Sequence, residues 1–276
     1  MRVAYQGVRG AYSEVALKRR YGPGTEALGF PFSEQVFDAV QEGRADFGFV
    51  PVENSIAGPV GVNMDLLLQR PVYAVAEDYL LIEHCLLARP GTTLAQVKTA
   101  LSHPVALAQV RDFLNTRGIK ALPEYDTAGS AELVAGRAVP GEAAVASRQC
   151  AAEYGLSVLA EGISGAKNNM TRFLAFVKEG TAPSGLKREK TSLAFSVKHK
   201  AGALLDCLRR FADHGINLTR LESRPVPEDP FQYSFFVDFL GGVDAPEVEK
   251  ALDELRDGAR SIKVLGSYPL GAKPRG

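Results

Sequence analysis

The sequence carries no surplus charge of either sign: its 276 residues hold 32 Lys plus Arg against 32 Asp plus Glu. A general electrostatic attraction to nucleic acid or to an anionic membrane is therefore not expected, and only a local anion site remains open. No apolar run approaches the roughly 18 residues needed to cross a bilayer as a helix. Cysteine is scarce. The three present, Cys85, Cys150 and Cys207, are isolated and odd in number, which speaks against a disulfide framework and suits a reducing cytoplasm. Histidine is scarce too. His84, His103, His199 and His214 are scattered, none at metal-ligand spacing, so a metal enzyme is not expected. The first residues, Met1 to Gly7, read directly as a strand and turn and lack the apolar centre of a signal peptide, so the expected location is cytoplasmic. What is present is a composition that is 46% hydrophobic and 23% charged, enough for a packed core in one large domain or two ordinary ones.

The polar stretch Asn168-Asn169-Met170-Thr171-Arg172-Phe173 stands out, because it lies between the small flexible run Gly162 to Lys167 and the apolar run Leu174 to Val177. It reads as a loop entering a strand, with Thr171 as a hydrogen-bond donor and Arg172 as a planar fork for a carboxylate; a solvated or capping role is the alternative. Earlier in the chain, a strand from Arg2 to Gln6 leads through Gly7-Val8-Arg9-Gly10 to a helix over 11–21, with Ser13 in its first turn, where free N–H groups favour anions or local capping. Ser33 is the expected N-cap of a helix over 34–42. The apolar run from Asp46 to Val52 reads as a buried parallel strand ending in Glu53-Asn54-Ser55. Ligands bind at that end of open α/β sheets, although Asn and Ser also serve turns. A helix over 63–69 precedes two extended runs, 72–79 and 80–88. The α/β pattern then resumes with a short helix over 93–98, Ser102 beside a helix opened by Pro104 and running to about Thr116, Gln109 within that helix, a strand over 121–125, a helix over 130–138 and a strand over 143–146. His103 reads as a base or, more simply, as a cap.

Residues 179–190, rich in glycine, proline and charge, read as a linker. Beyond them Leu193, Phe195 and Val197 alternate as a strand, and Leu204, Leu205, Leu208 and Phe211 mark a helix face. A strand holding Leu218 and Leu221 ends in Glu222-Ser223-Arg224-Pro225. Phe231, Tyr233, Phe235, Val237 and Phe239 keep period two, Val248, Ala251, Leu252 and Leu255 mark a second helix, and Ile262 and Val264 give a last strand. The order βαββαβ is that of a ferredoxin-like unit, followed by a tail over 271–276.

Four stretches carry a resemblance: Gly10-Ala11-Tyr12-Ser13-Glu14, Val52-Glu53-Asn54-Ser55-Ile56-Ala57-Gly58, Ser102-His103-Pro104 and Thr171-Arg172-Phe173-Leu174. Essentially end to end, the chain resembles the prephenate dehydratases, and its C-terminal unit resembles an ACT domain through Gly202-Ala203-Leu204-Leu205 and Glu222-Ser223-Arg224-Pro225. The resemblance implies an α/β fold with a two-lobed catalytic domain similar to type II periplasmic binding proteins over 1–179. Lobe one would take about 1–75 and 160–179, lobe two about 76–159, and a βαββαβ ACT regulatory domain 191–270. It implies a carbon–oxygen lyase that converts prephenate to phenylpyruvate, carbon dioxide and water in phenylalanine biosynthesis, without cofactor, as a homodimer or a dimer of dimers. L-Phenylalanine would regulate it by feedback at the ACT interface, with Gly202, Ala203 and Leu204 of one chain facing Asn217, Leu218, Glu222 and Ser223 of another. Many members have Gln after Ser-His-Pro where this chain has Val105, and Gln109 keeps an amide one turn on. No chorismate mutase segment is expected ahead of the domain.

The chemistry then assigns expected roles. Thr171 is the catalytic donor to the departing hydroxyl. Glu53 is either a proton source in a buried setting or the carboxylate partner of Arg172. Ser13, Asn54, Ser55, Ser102, Gln109, Arg172 and Phe173 form the substrate site, mostly neutral donors suited to a dianion. A dehydratase preferring arogenate and a non-catalytic amino-acid binding protein of the same architecture are the competing readings.

Overall fold

The structure, a computed structural model, describes residues 1–226 and 229–274, apart from the side chains of 230 and 231. Phe231 of the alternating run and the last two residues of the expected tail lie outside that set. The chain groups into two compact units, one of Met1–Val60 with Asp78–Phe173, the other of Gly61–Glu77 with Leu174–Ala272.

The first unit opens with β1 (Arg2–Gln6) and α1 (Tyr12–Tyr21). In the turn between them Gly10 has φ 80°, and a Cβ there would stand 2.7 Å from the Cys150 sulfur, so glycine is required on both counts. Next come β2 (Glu26–Phe30), α2 (Ser33–Gln41) and β3 (Phe47–Asn54). The three strands pair in parallel with β1 in the middle. Val36, Phe37, Ala39 and Val40 bury one face of α2, as their helical spacing requires. Ser33 does not cap α2 as expected: it is the first residue of the helix, buried, and its hydroxyl donates to Gln6 Oε1 at 2.8 Å. The short β4 (Gly58–Pro59) folds back antiparallel on the end of β3.

After α3 (Gly61–Gln69) and β5 (Val72–Leu81) the chain builds a second α/β lobe. Its elements are β6 (Cys85–Ala88), β7 (Thr99–Ser102), α4 (Pro104–Gln109), α5 (Arg111–Asn115), β8 (Lys120–Pro123), α6 (Thr127–Arg137), β9 (Glu142–Ala146), α7 (Arg148–Tyr154) and β10 (Ser157–Ala160). The strand order is β10-β6-β9-β7-β8. The single helix expected from Pro104 to Thr116 is broken at Val110 (φ −109°, ψ 10°), and both halves turn Leu107, Val110 and Leu114 into the lobe core. The short helix expected over 93–98 is reduced to a 3-10 turn, Leu94–Gln96. α6 starts earlier than its apolar pattern suggests, because Asp126 accepts from the N–H groups of Ala128 and Gly129.

Strand β11 (Met170–Lys178) returns to the first lobe, and Thr171-Arg172-Phe173 lie inside it rather than in a loop ahead of it. No regular element occupies 179–189. The ferredoxin-like part of the second unit follows: β12 (Lys190–Val197), α8 (Ala203–Asp213), β13 (Leu218–Val226), β14 (Asp229–Leu240), α9 (Pro246–Gly258) and β15 (Ala259–Tyr268), with antiparallel order β13-β14-β12-β15. Glu222 to Pro225 close β13, the strand they were expected to end. Its core sets Leu193, Phe195, Val237 and Phe239 of the sheet against Phe211 of α8 and Val248 and Leu252 of α9. In the same unit, Arg224 of β13 grips Asp65 of α3 through two bonds of 2.8 and 2.5 Å. Lys263 of β15 donates to the carbonyls of Leu67, Leu68 and Arg70 at the C-terminal end of α3.

Candidate active site

Six side chains of the first unit form one continuous hydrogen-bonded chain across its two lobes, and its polarity follows from one residue. At the end of β3 the backbone N–H groups of Ile56 and Ala57 donate to Asn54 Oδ1 at 3.0 and 2.8 Å. That fixes which atom of the amide is oxygen. Asn54 Nδ2 then donates to Asn169 Oδ1 at 2.8 Å and to Thr171 Oγ1 at 3.0 Å. Asn169 Nδ2 donates in turn to Gln109 Oε1 at 2.8 Å. The same oxygen lies 2.8 Å from His84 Nε2, and because an amide oxygen only accepts, that nitrogen carries a proton. His84 Nδ1 is 2.9 Å from the Tyr12 hydroxyl, whose one hydrogen is divided between that nitrogen and the carbonyl of Glu83, also at 2.9 Å. Burial pushes the pKa of His84 down, against the opposing effect of the Gln109 bond. Burial also pushes the Tyr12 phenol up, helped by Cys85, Cys150 and Glu83. Both rings are accordingly uncharged near neutral pH, and Nδ1 is an acceptor.

Two donors are left over along this chain. Asn54 donates into Thr171 Oγ1, so the hydrogen of Thr171 is not needed for that bond, and it meets no acceptor among the described residues. Gln109 uses its oxygen twice, and its Nε2 makes no bond among them.

The remaining expected site residues fall into three groups. Asn54 and Ser55 stand at the site but have their donors committed. Asn54 spends both amide hydrogens as above, while Ser55 donates to the Asn168 carbonyl and accepts from Met170 N, each at 2.9 Å. Ser55 thus ties the loop ahead of β11 to the end of β3. Glu53 and Arg172 form a second pair, with Arg172 Nη1 3.9 Å from Glu53 Oε2. The Glu53 side chain is 41% exposed, so the buried setting that a proton source needs is absent and the carboxylate–cation pairing is present. Ser102 and Phe173 differ from expectation in being interior. Ser102 is fully buried and donates to the Val145 carbonyl at 2.6 Å. Phe173 stacks on Phe49 at 5.1 Å and 10° in the core of the first lobe, two residues further along β11 than Thr171. Ser13 is buried in the first turn of α1, beside Tyr12. His103 is the N-cap of α4 and accepts from Val105 N at 3.3 Å. The reading by residue type missed His84, Tyr12 and Asn169. Their one signal is position: a lone histidine directly before a strand, and a tyrosine and an amide each adjacent to a residue already singled out.

In the second unit Gly202, with φ 84°, opens α8, and Gly202, Ala203 and Leu204 line a cavity of about 260 Å³ with Tyr233 and Phe235 of β14. Leu218 and Glu222 share the half-buried face of β13, while Ser223 lies on its exposed face and Asn217 precedes the strand. Period two prevents Glu222 and Ser223 from facing the same ligand through their side chains. Glu222 is paired with Arg220 and lies 4.0 Å from Arg224. Among the described residues no group of three or more His, Cys, Asp or Glu is placed to hold a metal ion, and no helix is long and apolar enough to cross a membrane.

The profile of the prephenate dehydratase family matches residues 3–181, and that of ACT domains matches 191–257. The chain belongs to the prephenate dehydratase family. It is similar to arogenate dehydratase/prephenate dehydratase 2, chloroplastic, of Arabidopsis thaliana, with 39% identity over 98% of this chain and 73% of that protein. It is similar also to arogenate dehydratase 2 of Petunia hybrida, with 40% identity over 98% of this chain and 72% of that one. Among solved structures, the prephenate dehydratase of Arthrobacter aurescens in complex with L-Phe superposes with a TM-score of 0.88 at 31% identity, covering 97% of this chain and 89% of that chain. A structure described as GqqA, a novel type of quorum-quenching acylase, superposes with a TM-score of 0.89 at 36% identity over 98% of each chain. The protein is thus an enzyme of the prephenate/arogenate dehydratase family of aromatic amino acid biosynthesis. It has the two-lobed, periplasmic-binding-protein-like α/β fold and the ferredoxin-like ACT unit expected of it.

Proposed function

We propose that the protein is a prephenate dehydratase regulated by L-phenylalanine, with a catalytic domain over 1–179 and an ACT domain over 191–270. The observation that carries the catalytic reading is the polarity of the Asn54–Thr171 bond: the amide donates, so the Thr171 hydroxyl has its hydrogen left for a ligand. In the reaction the ring carboxylate leaves as carbon dioxide and the electrons of its C–C bond enter the ring. The ring C–O bond breaks, and the departing hydroxyl takes up one proton and leaves as water. Aromatisation supplies the drive. Thr171 hydrogen-bonds the departing oxygen as negative charge develops on it, and Gln109 offers its amide hydrogens to a carboxylate. The ring carboxylate loses its charge in the transition state, so the side-chain carboxylate takes the firmer hold. Asn54 and Ser55 act one step back, orienting Thr171 and the strand end that carries it. Glu53 and Arg172 form the charged pair of the site.

The test is phenylpyruvate formation by the purified protein. Thr171→Ala should lower kcat roughly a hundred- to a thousandfold with little change in KM, the cost of one oriented donor in the transition state. A variant that turns over near the wild-type rate would overturn the assignment. Arogenate is the second reading, favoured by the names of the Arabidopsis and Petunia relatives. It differs only by an amino group in place of the keto group, and comparing kcat/KM on the two substrates separates them. Thr171 receives a bond from Asn54 and has no base partner among the described residues, so it is not placed as the hydroxyl nucleophile of an acylase such as GqqA is described to be. Phenylalanine regulation draws on the Arthrobacter complex with L-Phe and on the cavity at Gly202, Ala203 and Leu204. A homodimer or dimer of dimers and a cytoplasmic location complete the reading.

A further inference from the structure

The chemistry above uses Thr171 and Gln109 but not the buried imidazole behind Gln109. His84 is 3% exposed, between the Tyr12 hydroxyl on Nδ1 and the Gln109 oxygen on Nε2. An apolar side chain would fill that space at less desolvation cost. What the imidazole adds is direction. The glutamine amide has two nearly isosteric orientations, and only one turns its NH₂ group away from the network. With the oxygen inward, Gln109 accepts from Asn169 and from His84, each at 2.8 Å. With the nitrogen inward, it would set N–H donors against the Asn169 amide nitrogen, whose own orientation is fixed through Asn54 by the backbone of Ile56 and Ala57. It would also set them against Nε2–H, unless the imidazole changed tautomer and donated from Nδ1 to the Tyr12 oxygen.

We propose that His84 is a positioning residue of the dehydratase: as the neutral Nε2–H tautomer, it joins Asn169 in locking the Gln109 oxygen inward, so that Gln109 presents its NH₂ group to a substrate carboxylate. The lock is shared between lobes. Tyr12 and Asn169 come from the first lobe, Gln109 from the second, and His84 from the strand connection into it. The carbonyls of His84 and Gln109 are also held, by the N–H groups of Ile163 and Gly165 at 3.2 and 3.1 Å, so the loop ahead of Asn169 is fastened to the same two residues.

The role of Gln109 toward substrate rests on the proposed function, whereas the tautomer does not, and two measurements keep them apart. In the full-length protein with nitrogen-15 histidine, imidazole correlation spectra show four histidines, and loss of one signal in His84→Gln assigns it. A neutral Nε2–H ring at pH 7 is expected; an Nδ1–H ring or an imidazolium would overturn the proposal. This arm decides even if the protein turns over neither prephenate nor arogenate. In kinetics, His84→Leu should raise KM about tenfold, the cost of one misoriented hydrogen bond, with a smaller change in kcat. His84→Gln, which places an N–H where Nε2 stood, should recover most of that affinity. In a Gln109→Ala background His84→Leu should cost nothing further. Losses that add, or a His84→Gln variant no better than His84→Leu, would show a packing role only. Thermal unfolding of each variant separates misfolding from misorientation.

Discussion

Asn54 is the residue from which the site can be read. Two backbone donors fix its oxygen, its nitrogen fixes Asn169, and through Gln109 the order reaches His84 and Tyr12. Each partner is uncharged, which suits the binding of a dianion without drawing the ring carboxylate into an ion pair that must later be broken. The buried histidine has a consequence for stability. Its pKa in the folded state is depressed, and the groups facing its two nitrogens, the Tyr12 hydroxyl and the Gln109 amide, carry no charge that would offset protonation. The unfolded chain, with an ordinary histidine pKa of about 6.5, therefore binds the proton first. The contribution of the neutral ring is fully present above that value and is lost as pH falls from it through the depressed folded value. Urea unfolding at pH 7.5 and at pH 5.5 should show the wild type losing more stability on acidification than His84→Gln; equal losses would mean that the ring is not held neutral.

At the scale of the element, α3 shows how the sequence holds a helix at its middle and at its C-terminal end. Asp65 takes the Arg224 guanidinium in two bonds, which holds the guanidinium pKa above its usual value, and Lys263 caps three carbonyls at the C-terminal end, where a cation also meets the helix dipole. Gly61 opens the helix directly under Arg224: a Cβ there would lie 1.9 Å from Nη1. The Arg224–Asp65 pair is about one-third exposed, so its worth is limited by solvent screening to about 1 kcal/mol. Asp65→Ala should lower the unfolding free energy by about that amount. Gly61→Ala should displace the same guanidinium, and the double variant should lose no more than the larger single loss. Full additivity in denaturant titration would mean that the two positions act separately. The sequence pattern showed α3 as a short helix, but nothing in it paired Asp65 with Arg224. The two are separated by 159 residues and meet only because of how the second unit folds.

At the scale of the whole molecule, regulation requires phenylalanine to bind one state of the enzyme better than another. The cavity beside Gly202, Ala203 and Leu204 is also lined by Tyr233 and Phe235, aromatic neighbours suited to an aromatic side chain. Phenylalanine at about a hundred times its Kd should then stabilise the native protein by roughly 2.7 kcal/mol and raise Tm while it alters turnover. No shift in Tm and no heat in calorimetry would remove the effector reading and leave the dehydratase intact.

The sequence by itself determined the order of elements, the βαββαβ unit, the family and the strand-end positions of Asn54 and Thr171, because these follow from local periodicity, turn chemistry and short contiguous motifs. Only the tertiary structure decided what each polar group does. Ser102 and Ser55 look like free donors in the sequence, yet Val145 and Asn168 take their hydrogens. Phe173 looks like part of a site, yet it stacks on Phe49 in the core. His84 looks solitary, yet it stands between Tyr12, 72 residues before it, and Gln109, 25 residues after it. A residue type states which bonds a side chain can make; which of them remain for a ligand depends on neighbours that are distant in sequence, and on a packed interior that leaves few polar groups unpaired.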